Sequence, residues 1–446
     1  MAIRTLNILP GVYYKENVQN ITYTSSEEYP CFYGVTNHEP NTIEQRGINK
    51  YYDYDELCKT IDNGGICKFD DEDKELKINP LLRILKDYFT ELDLNDSESI
   101  CPPYIYVADM GVGNDLSRWK EYFEKSRVYK DITFEVYYGM NNIQEGGLQA
   151  GIDAAMEYIK TKAKALDLRR GFTTTKMIEP EDNSNKVSVN DNKSNNNNNK
   201  SNNSNDKNNN SNKNNNLNNK LNNNVFTLDN EDTELINLAY KNSEYNRIRV
   251  IEPELFGKHI ARFCSTPVGE EVGFYQFNTV SPGTFKDRTP TQMLELQNGG
   301  VIFGRDEYSA SKFYPKINLG VATNFAQGLN NRPADSLDSA RRIADWMLQQ
   351  VFDLCYPQIK ARETFSNLAH LQNKINTLIQ EAINNGYVVK YDEDTNPEGT
   401  YLEVIESDNN PYAMIVQGQI QPMNCTIAIN VDATITQPAI KAAEEL

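Results

Sequence analysis

The chain has 446 residues, enough for two or more domains with a substantial core, and carries a formal net charge of −18 with a pI near 4.8. That balance argues against a phosphate-binding surface, because nucleic-acid affinity rests on clustered Lys and Arg and no basic stripe stands out. Cys31, Cys58, Cys67, Cys101, Cys264, Cys355 and Cys425 are odd in number and scattered without a CxxC pair, so reduced, packed thiols are expected.

The first predicted element is LNILPGVYYKE, where Leu6, Ile8, Val12 and Tyr14 fall at strand period and Pro10-Gly11 splits the run in two. Neither half can bury itself, so each needs a sheet edge supplied later in the chain or by another molecule. Arg4, Asn7 and Pro10-Gly11 also break up any apolar run, so no secretory signal is expected. Nor does any run approach the ~18 apolar residues of a membrane span, and folding is expected in the compartment of synthesis.

Strands and helices then alternate. EYPCFYGVT (Glu28 to Thr36), PPYIYVADMG (Pro102 to Gly111) and ITFEVYYG (Ile132 to Gly139) are aromatic and β-branched runs that read as strands. NPLLRILKDYF (Asn79 to Phe89) reads as a helix with Asn79 as N-cap and Pro80 at the first position, and Gly151 to Leu166 as another. The acidic run Phe69 to Glu75 reads as a solvated loop. This order predicts an α/β layer with a central sheet.

From Asp182 to Asn224 the composition changes, and residues 190–224 hold 22 asparagines in 35 positions. So few apolar side chains cannot offset the entropy of ordering, which predicts a flexible surface insertion; aggregation through the Asn tract is the functional alternative.

Beyond it, RIRVIEP and HIARFCS read as a helix-free pair of segments, with the start of a short helix as the alternative for the second. TPTQMLELQNGG reads as a helix started by Thr289 or Thr291 and stopped by Gly299-Gly300, with a strand after it. Two longer helices follow, one capped by Asp335 or Ser336 with an apolar stripe from Leu337 to Leu354, the other from Phe365 to Ile383, ending at Asn385-Gly386. A hairpin is predicted around Asn396-Pro397-Glu398-Gly399, then a strand at YAMIVQGQI. In NCTIAINVDATIT, Cys425, Ile427, Ile429, Val431 and Ile435 alternate with polar or small residues, so the tail, like the opening, is strand-forming.

No catalytic set emerges, and no enzyme is predicted. Gly111 and Gly113 follow a strand as a dinucleotide turn would, but Leu116 stands where the third glycine belongs, so a plain turn is the better reading. His38, His259 and His370 are dispersed, and five residues separate His259 from Cys264, out of register for a base and nucleophile on strand or helix. Asp392, Asp394, Asn396, Glu398, Thr400 and Glu403 have the spacing of a calcium loop, yet Pro397 replaces the required glycine, which favours a solvated hairpin tip. No metal and no cofactor are predicted.

The succession of segments outside the Asn tract resembles the contractile tail sheath proteins of bacteriophages and related injection machines. LPGVYYKE (Leu9 to Glu16) is similar to a PGVYxxE opening common in that family, and the segment Glu28 to Ile61, ending in YYDYDELCKTI, is similar to the strand and turn after it. PPYIYVADMG, Phe256 to Val280, TPTQMLELQNGGVIF, the two long helices, the NNGY turn and the closing strands follow in the family's order, whereas the insertion and SPGTFKDR depart from it.

The resemblance implies a mixed α+β sheath fold with a central mixed sheet flanked by helices and with extended N- and C-terminal β arms. It divides the chain into an arm (1–20), a first body part (21–181), the insertion (182–224), a second body part (225–315), a C-terminal helix and sheet domain (316–420) and a second arm (421–446). It implies a homo-oligomeric helical sheath around an inner tail tube protein, with baseplate and tail terminator proteins as partners and neither nucleic acid nor membrane insertion. Subunits would exchange strands through Ile3, Leu6, Ile8, Pro10, Gly11, Val12 and Tyr14 and through Cys425, Ile427, Ile429, Val431 and Ile435. Arg341, Arg342, Lys360 and Arg362 either face an acidic tube or are solvated helix ends. A sheath of a non-viral injection system is the alternative, and an α/β hydrolase or nucleotide-binding enzyme, resting on Gly111 and Gly113 alone, a third reading.

Overall fold

A computed structural model of the chain describes residues 28–40, 46–60, 64–69, 71–93, 102–163, 167–178, 228–273, 275–277, 279–309, 312–328, 336–358, 365–406 and 414–423. The predicted insertion at 182–224 lies outside them. In chain order the first elements are β1 (Tyr29–Gly34), β2 (Ile48–Tyr51), α1 (Tyr54–Leu57), α2 (Glu72–Leu76), α3 (Pro80–Asp93), β3 (Ile105–Asp109), α4 (Leu116–Lys125), β4 (Ile132–Tyr138) and α5 (Gly147–Ala163). They continue with β5 (Arg170–Thr173), α6 (Asn230–Lys241), β6 (Ile248–Ile251), α7 (Phe256–Ser265), α8 (Pro290–Asn298) and β7 (Val301–Ile302). The seven strands form one sheet in the order β2-β3-β1-β4-β5-β6-β7, in which only the edge strand β2 runs antiparallel to its neighbour.

Because side chains alternate along a strand, a sheet covered on both faces sorts each strand into two cores. Phe32, Val107, Phe134, Phe172 and Ile251 meet α3 and α7 on one face. Tyr33, Ala108, Tyr137, Ile248 and Val250 meet α4, α5, α6 and α8 on the other. The helix starts follow the sequence closely. Leu82 N–H donates to Asn79 Oδ1 at 3.0 Å, with Pro80 at the first position of α3. Thr289 and Gln292 make a reciprocal capping box on α8.

Two predictions fail in this half. HIARFCS is not helix-free but forms most of α7, whose Phe256, Ile260 and Phe263 make an apolar stripe for the sheet. The run Phe69 to Glu75 is not a solvated loop: Asp71 caps α2, and Glu75 is buried, with His38 Nε2 at 3.1 Å and Asn79 Nδ2 at 3.0 Å from its carboxylate. Helices α3 and α7 pack closely at Gly257, where a Cβ would lie 2.6 Å from the Ile84 carbonyl oxygen and 3.0 Å from Asp87 Cβ. Gly257→Ala is therefore expected to lower stability by about 1–3 kcal/mol, since backbone cannot yield as a side chain does. Urea unfolding checks it, and an unchanged midpoint would mean the two helices separate freely.

The remaining elements are the hairpin β8 (Gly304–Ser309) and β9 (Lys312–Ile317), the helices α9 (Asp338–Cys355) and α10 (Phe365–Asn384), and the two-stranded sheet β10 (Tyr401–Glu406) and β11 (Met414–Gln419). Ile343, Met347 and Val351 of α9 and Leu371, Ile375 and Ala382 of α10 close a third core with Val268, Val388 and Ile420. The N-cap of α9 is Leu337, which makes no side-chain bond, rather than Asp335 or Ser336. The predicted hairpin is also re-paired. Residues 401–406 pair with 414–419, and Val388 and Lys390 make only isolated bridges to Pro422 and Thr400. Asp392 Oδ1 accepts the N–H groups of Asp394 at 3.1 Å and Thr395 at 2.9 Å, so the carboxylate of the calcium-like run serves its own turn.

Candidate functional site

An open α/β sheet offers two places for chemistry: the carboxyl ends of its strands at the topological switch, and whatever buried charge the fold has had to accommodate. The switch lies at β1, flanked by β3 and β4. An open hollow of about 540 Å³ lies there, lined by Asn114, Asp115, Lys120, Gln144 and Glu145, but the glycine turns at the strand ends are closely packed. Gly113 and Gly139, at φ of +69° and +92°, carry the chain so close to Val35 that a Cβ on either would sit 2.3 and 2.5 Å from Val35 Cγ2. Trp119 Nε1 donates to the Gly113 carbonyl at 3.0 Å, and Asp109 Oδ1 accepts from Thr36 Oγ1 at 2.7 Å and Gly111 N–H at 2.8 Å. The Gly111 and Gly113 turn thus packs the sheet end instead of cradling a phosphate.

The second place is a buried charged joint at the opposite ends of the strands, where α9 crosses the sheet. Arg170 of β5 and Arg249 of β6 lie on the α7 side of the sheet, over the Phe263 and Phe172 rings, and Arg247 precedes β6. Arg247 binds Asp345 through both terminal nitrogens at 2.6 Å, a fork-to-carboxylate pair, and Arg341 binds the same carboxylate from one turn earlier on α9. Arg249 Nε donates to Asp338. Arg170 reaches Glu28 at 2.8 and 2.6 Å, and Arg342 approaches Glu28 at 3.4 Å while donating to the Thr266 carbonyl at 2.6 Å and lying 4.6 Å above the Phe263 ring.

Burial raises the cost of every charge here, and geometry decides which survive. Burial pushes Asp345 up, but Arg247 and Arg341 overcome it and hold the carboxyl well below the usual range. Arg249 and Arg342 are lowered, by burial first. Glu271 stands apart. Burial and then the neighbouring Asp338 carboxylate push it up to about 7, although Ser339 Oγ at 2.8 Å and the N–H groups of Gly273 and Gly320, each at 3.1 Å, donate to it. Glu271 Oε1 and Asp338 Oδ2 converge on Gly320, and Asp338 Oδ2 has no hydrogen-bond partner. His259 is a packed core imidazole between Phe172 and Phe263, pushed down to about 4 by burial.

Arg341 and Arg342 present no side chain to a tube or to solvent: both are 0 % exposed and spent within the chain, because the first three turns of α9 are covered. Lys360 and Arg362 lie outside the described residues. So do the predicted exchange residues Ile3, Leu6, Ile8, Pro10, Gly11, Val12, Tyr14, Cys425, Ile427, Ile429, Val431 and Ile435. Their described roots both lead to α9. Glu28, the first described residue, is held by Arg342. Met423, the last, donates its N–H to the Tyr387 carbonyl at 2.8 Å, and the Tyr387 ring packs edge-on against Trp346 at 6.3 Å.

No family model and no curated protein matches the sequence. Solved structures do. The helical sheath of the anti-feeding prophage in its contracted state superposes with a TM-score of 0.55 at 11% identity over 96% of this chain and 99% of that one. The chain has the contractile sheath fold. The contracted sheath complex of the extracellular contractile injection system PVC shares the sheath fold at TM-score 0.53 and 10% identity, over 96% of this chain and 98% of that one. The sheath tail protein of Listeria innocua shares it at 0.51 and 7% identity, over 90% and 94%. In this sheath fold the predicted class, a mixed sheet flanked by helices, is the observed one.

Proposed function

We propose that the chain is a structural subunit of a contractile sheath: many copies polymerise helically around an inner tube, and shortening of the sheath drives the tube through a target envelope. The observation that carries this reading is the end-to-end match to the anti-feeding prophage sheath, which leaves almost none of either chain unmatched. The partners would be further copies of the chain, the tube protein, and the baseplate and terminator at the two ends, with assembly in the cytoplasm of the producing cell. No catalysis is assigned to it. The work of contraction would come from a metastable extended lattice whose subunits gain contacts as it shortens.

The joint proposed between copies is an exchanged β-strand. A two-stranded sheet is marginal alone, and β10 and β11 are joined by no further strand among the described residues. The outer edge of β10 is partly occupied by a side chain, since Val404 N–H donates to Gln372 Oε1 at 2.7 Å and Gln372 Nε2 to the Leu402 carbonyl at 2.9 Å. The edge of β11 is left for the strand-forming termini of neighbours. Full-length protein is expected to form hollow striated tubes in negative stain, whereas deletion of residues 1–14 leaves a folded, soluble subunit that forms none. Normal tubes from the truncated chain would refute the exchange. The matches to injection-system sheaths support a non-viral machine as much as a phage tail, and adjacent genes for capsid and terminase proteins would decide for the phage.

A further inference from the structure

Just beyond α1 the chain leaves through Cys58 and returns through Cys67. The return is fixed by backbone bonds: Ile66 N–H donates to the Leu57 carbonyl at 3.1 Å, Gly65 N–H to the Thr60 carbonyl at 3.1 Å, and Thr60 and Cys67 form a parallel bridge. A Cβ at Gly65 would lie 1.3 Å from the Lys59 carbonyl oxygen, so only glycine allows the two passes to come this near. The closure brings Cys67 Sγ to 3.8 Å from the Leu57 carbonyl, on the peptide that leads into Cys58, and so makes the two cysteines neighbours across the paired passes. Cys67 is buried, whereas Cys58 is partly exposed.

We propose that Cys58 and Cys67 form a dithiol site that closes to an intrachain disulfide on reaction with a low-molecular-weight disulfide. Exposure makes Cys58 the attacking thiol. The hydrogen bonds from Cys67 and Tyr54 hold the Cys58 thiol below its ordinary range, whereas donating to Cys58, together with burial, pushes Cys67 up. The Cys58 thiolate attacks one sulfur of the reagent RSSR, forming a mixed disulfide and releasing RS⁻, which takes up the Cys58 proton. Cys67 then attacks the Cys58 sulfur, forms the protein disulfide, and displaces the second RS⁻, which takes the Cys67 proton. The two protein thiols give up two electrons, and the reagent leaves as two RSH. The fully buried Cys31, whose thiol is pushed up by burial, and the buried Cys264 have no such route.

The test incubates the reduced, folded chain with cystamine, alkylates the remaining thiols and maps the peptides by mass spectrometry. The expected result is loss of ~2 Da from the segment carrying Cys58 and Cys67, with neither alkylated, before Cys31 or Cys264 reacts. A lasting cystamine adduct on Cys58, or alkylation of both thiols, would overturn the proposal, and this measurement needs no variant. Cys67→Ser should convert the closed form into a stable adduct on Cys58, and Cys58→Ser should leave Cys67 unmodified. Modification of Cys67 in Cys58→Ser at the rate seen for the native chain would overturn the assigned order.

Discussion

Replacing Asp345 by alanine is expected to destabilise the subunit by about 3–5 kcal/mol, the range for removing one partner of a buried charge pair. The carboxylate is 1 % exposed and answers two guanidiniums, Arg247 through a two-bond fork at 2.6 Å and Arg341 from within α9. Without it both positive charges stay buried, with Arg249 and Arg342 already nearby. Asp345→Asn should be almost as damaging, because it keeps the volume and loses the charge. Pairing Asp345→Leu with Arg247→Met should recover part of the loss, since well-packed apolar groups often match a buried ion pair. Urea midpoints of the unassembled protein measure all three. A loss under about 1 kcal/mol for Asp345→Ala would mean that water reaches Arg247, as at a surface pair.

Glu271→Gln should remove a pH dependence that the native subunit carries. The Glu271 pKa is about 7 in the fold against 4.5 ordinarily. Between those values the folded chain holds a proton that the unfolded chain has released, so stability falls as pH rises. Below the window the group costs nothing, and above it the full penalty, about 3 kcal/mol, is present. His259 acts in the opposite sense. Its neutral form is favoured in the fold, at about 4 against 6.5, so it costs stability as pH falls through that interval. Comparing the two proteins cancels the His259 term. The variant should match the native chain at acid pH and exceed it by about 3 kcal/mol near pH ~8. Parallel curves would show that Glu271 ionises normally in spite of the adjacent Asp338.

Much of the architecture was legible. The strands β1, β3 and β4 are aromatic and β-branched runs, α3 opens on Asn79-Pro80, and α10 stops at Asn385-Gly386, each a local signal with a local cause. The sheath resemblance drawn from segment order agrees with the structural matches. α7 was missed because HIARFCS carries aromatic and β-branched residues whose helical stripe becomes evident only from Phe256 onward. The charged joint was missed for a different reason. Arg247 and Asp345 are 98 residues apart in the chain, and an arginine in a sequence reads as solvated until its partner is known. Traces were present: Arg247 and Arg249 alternate within the apolar RIRVI, and Asp338, Arg341 and Asp345 recur at helical spacing inside the α9 stripe.

The helix α9 also links the described roots of the two terminal segments. Arg342 grips the root of the N-terminal segment at Glu28, and Trp346, four residues on, backs the Tyr387 to which the root of the C-terminal segment is tied. The two side chains that engage these roots are a single helical turn apart, roughly 6 Å along a rigid rod, so in the proposed sheath a pull on one arm would be felt at the root of the other. Glu28 also runs straight into β1 inside the seven-stranded sheet, so this link joins the two roots in parallel with the covalent path through the body.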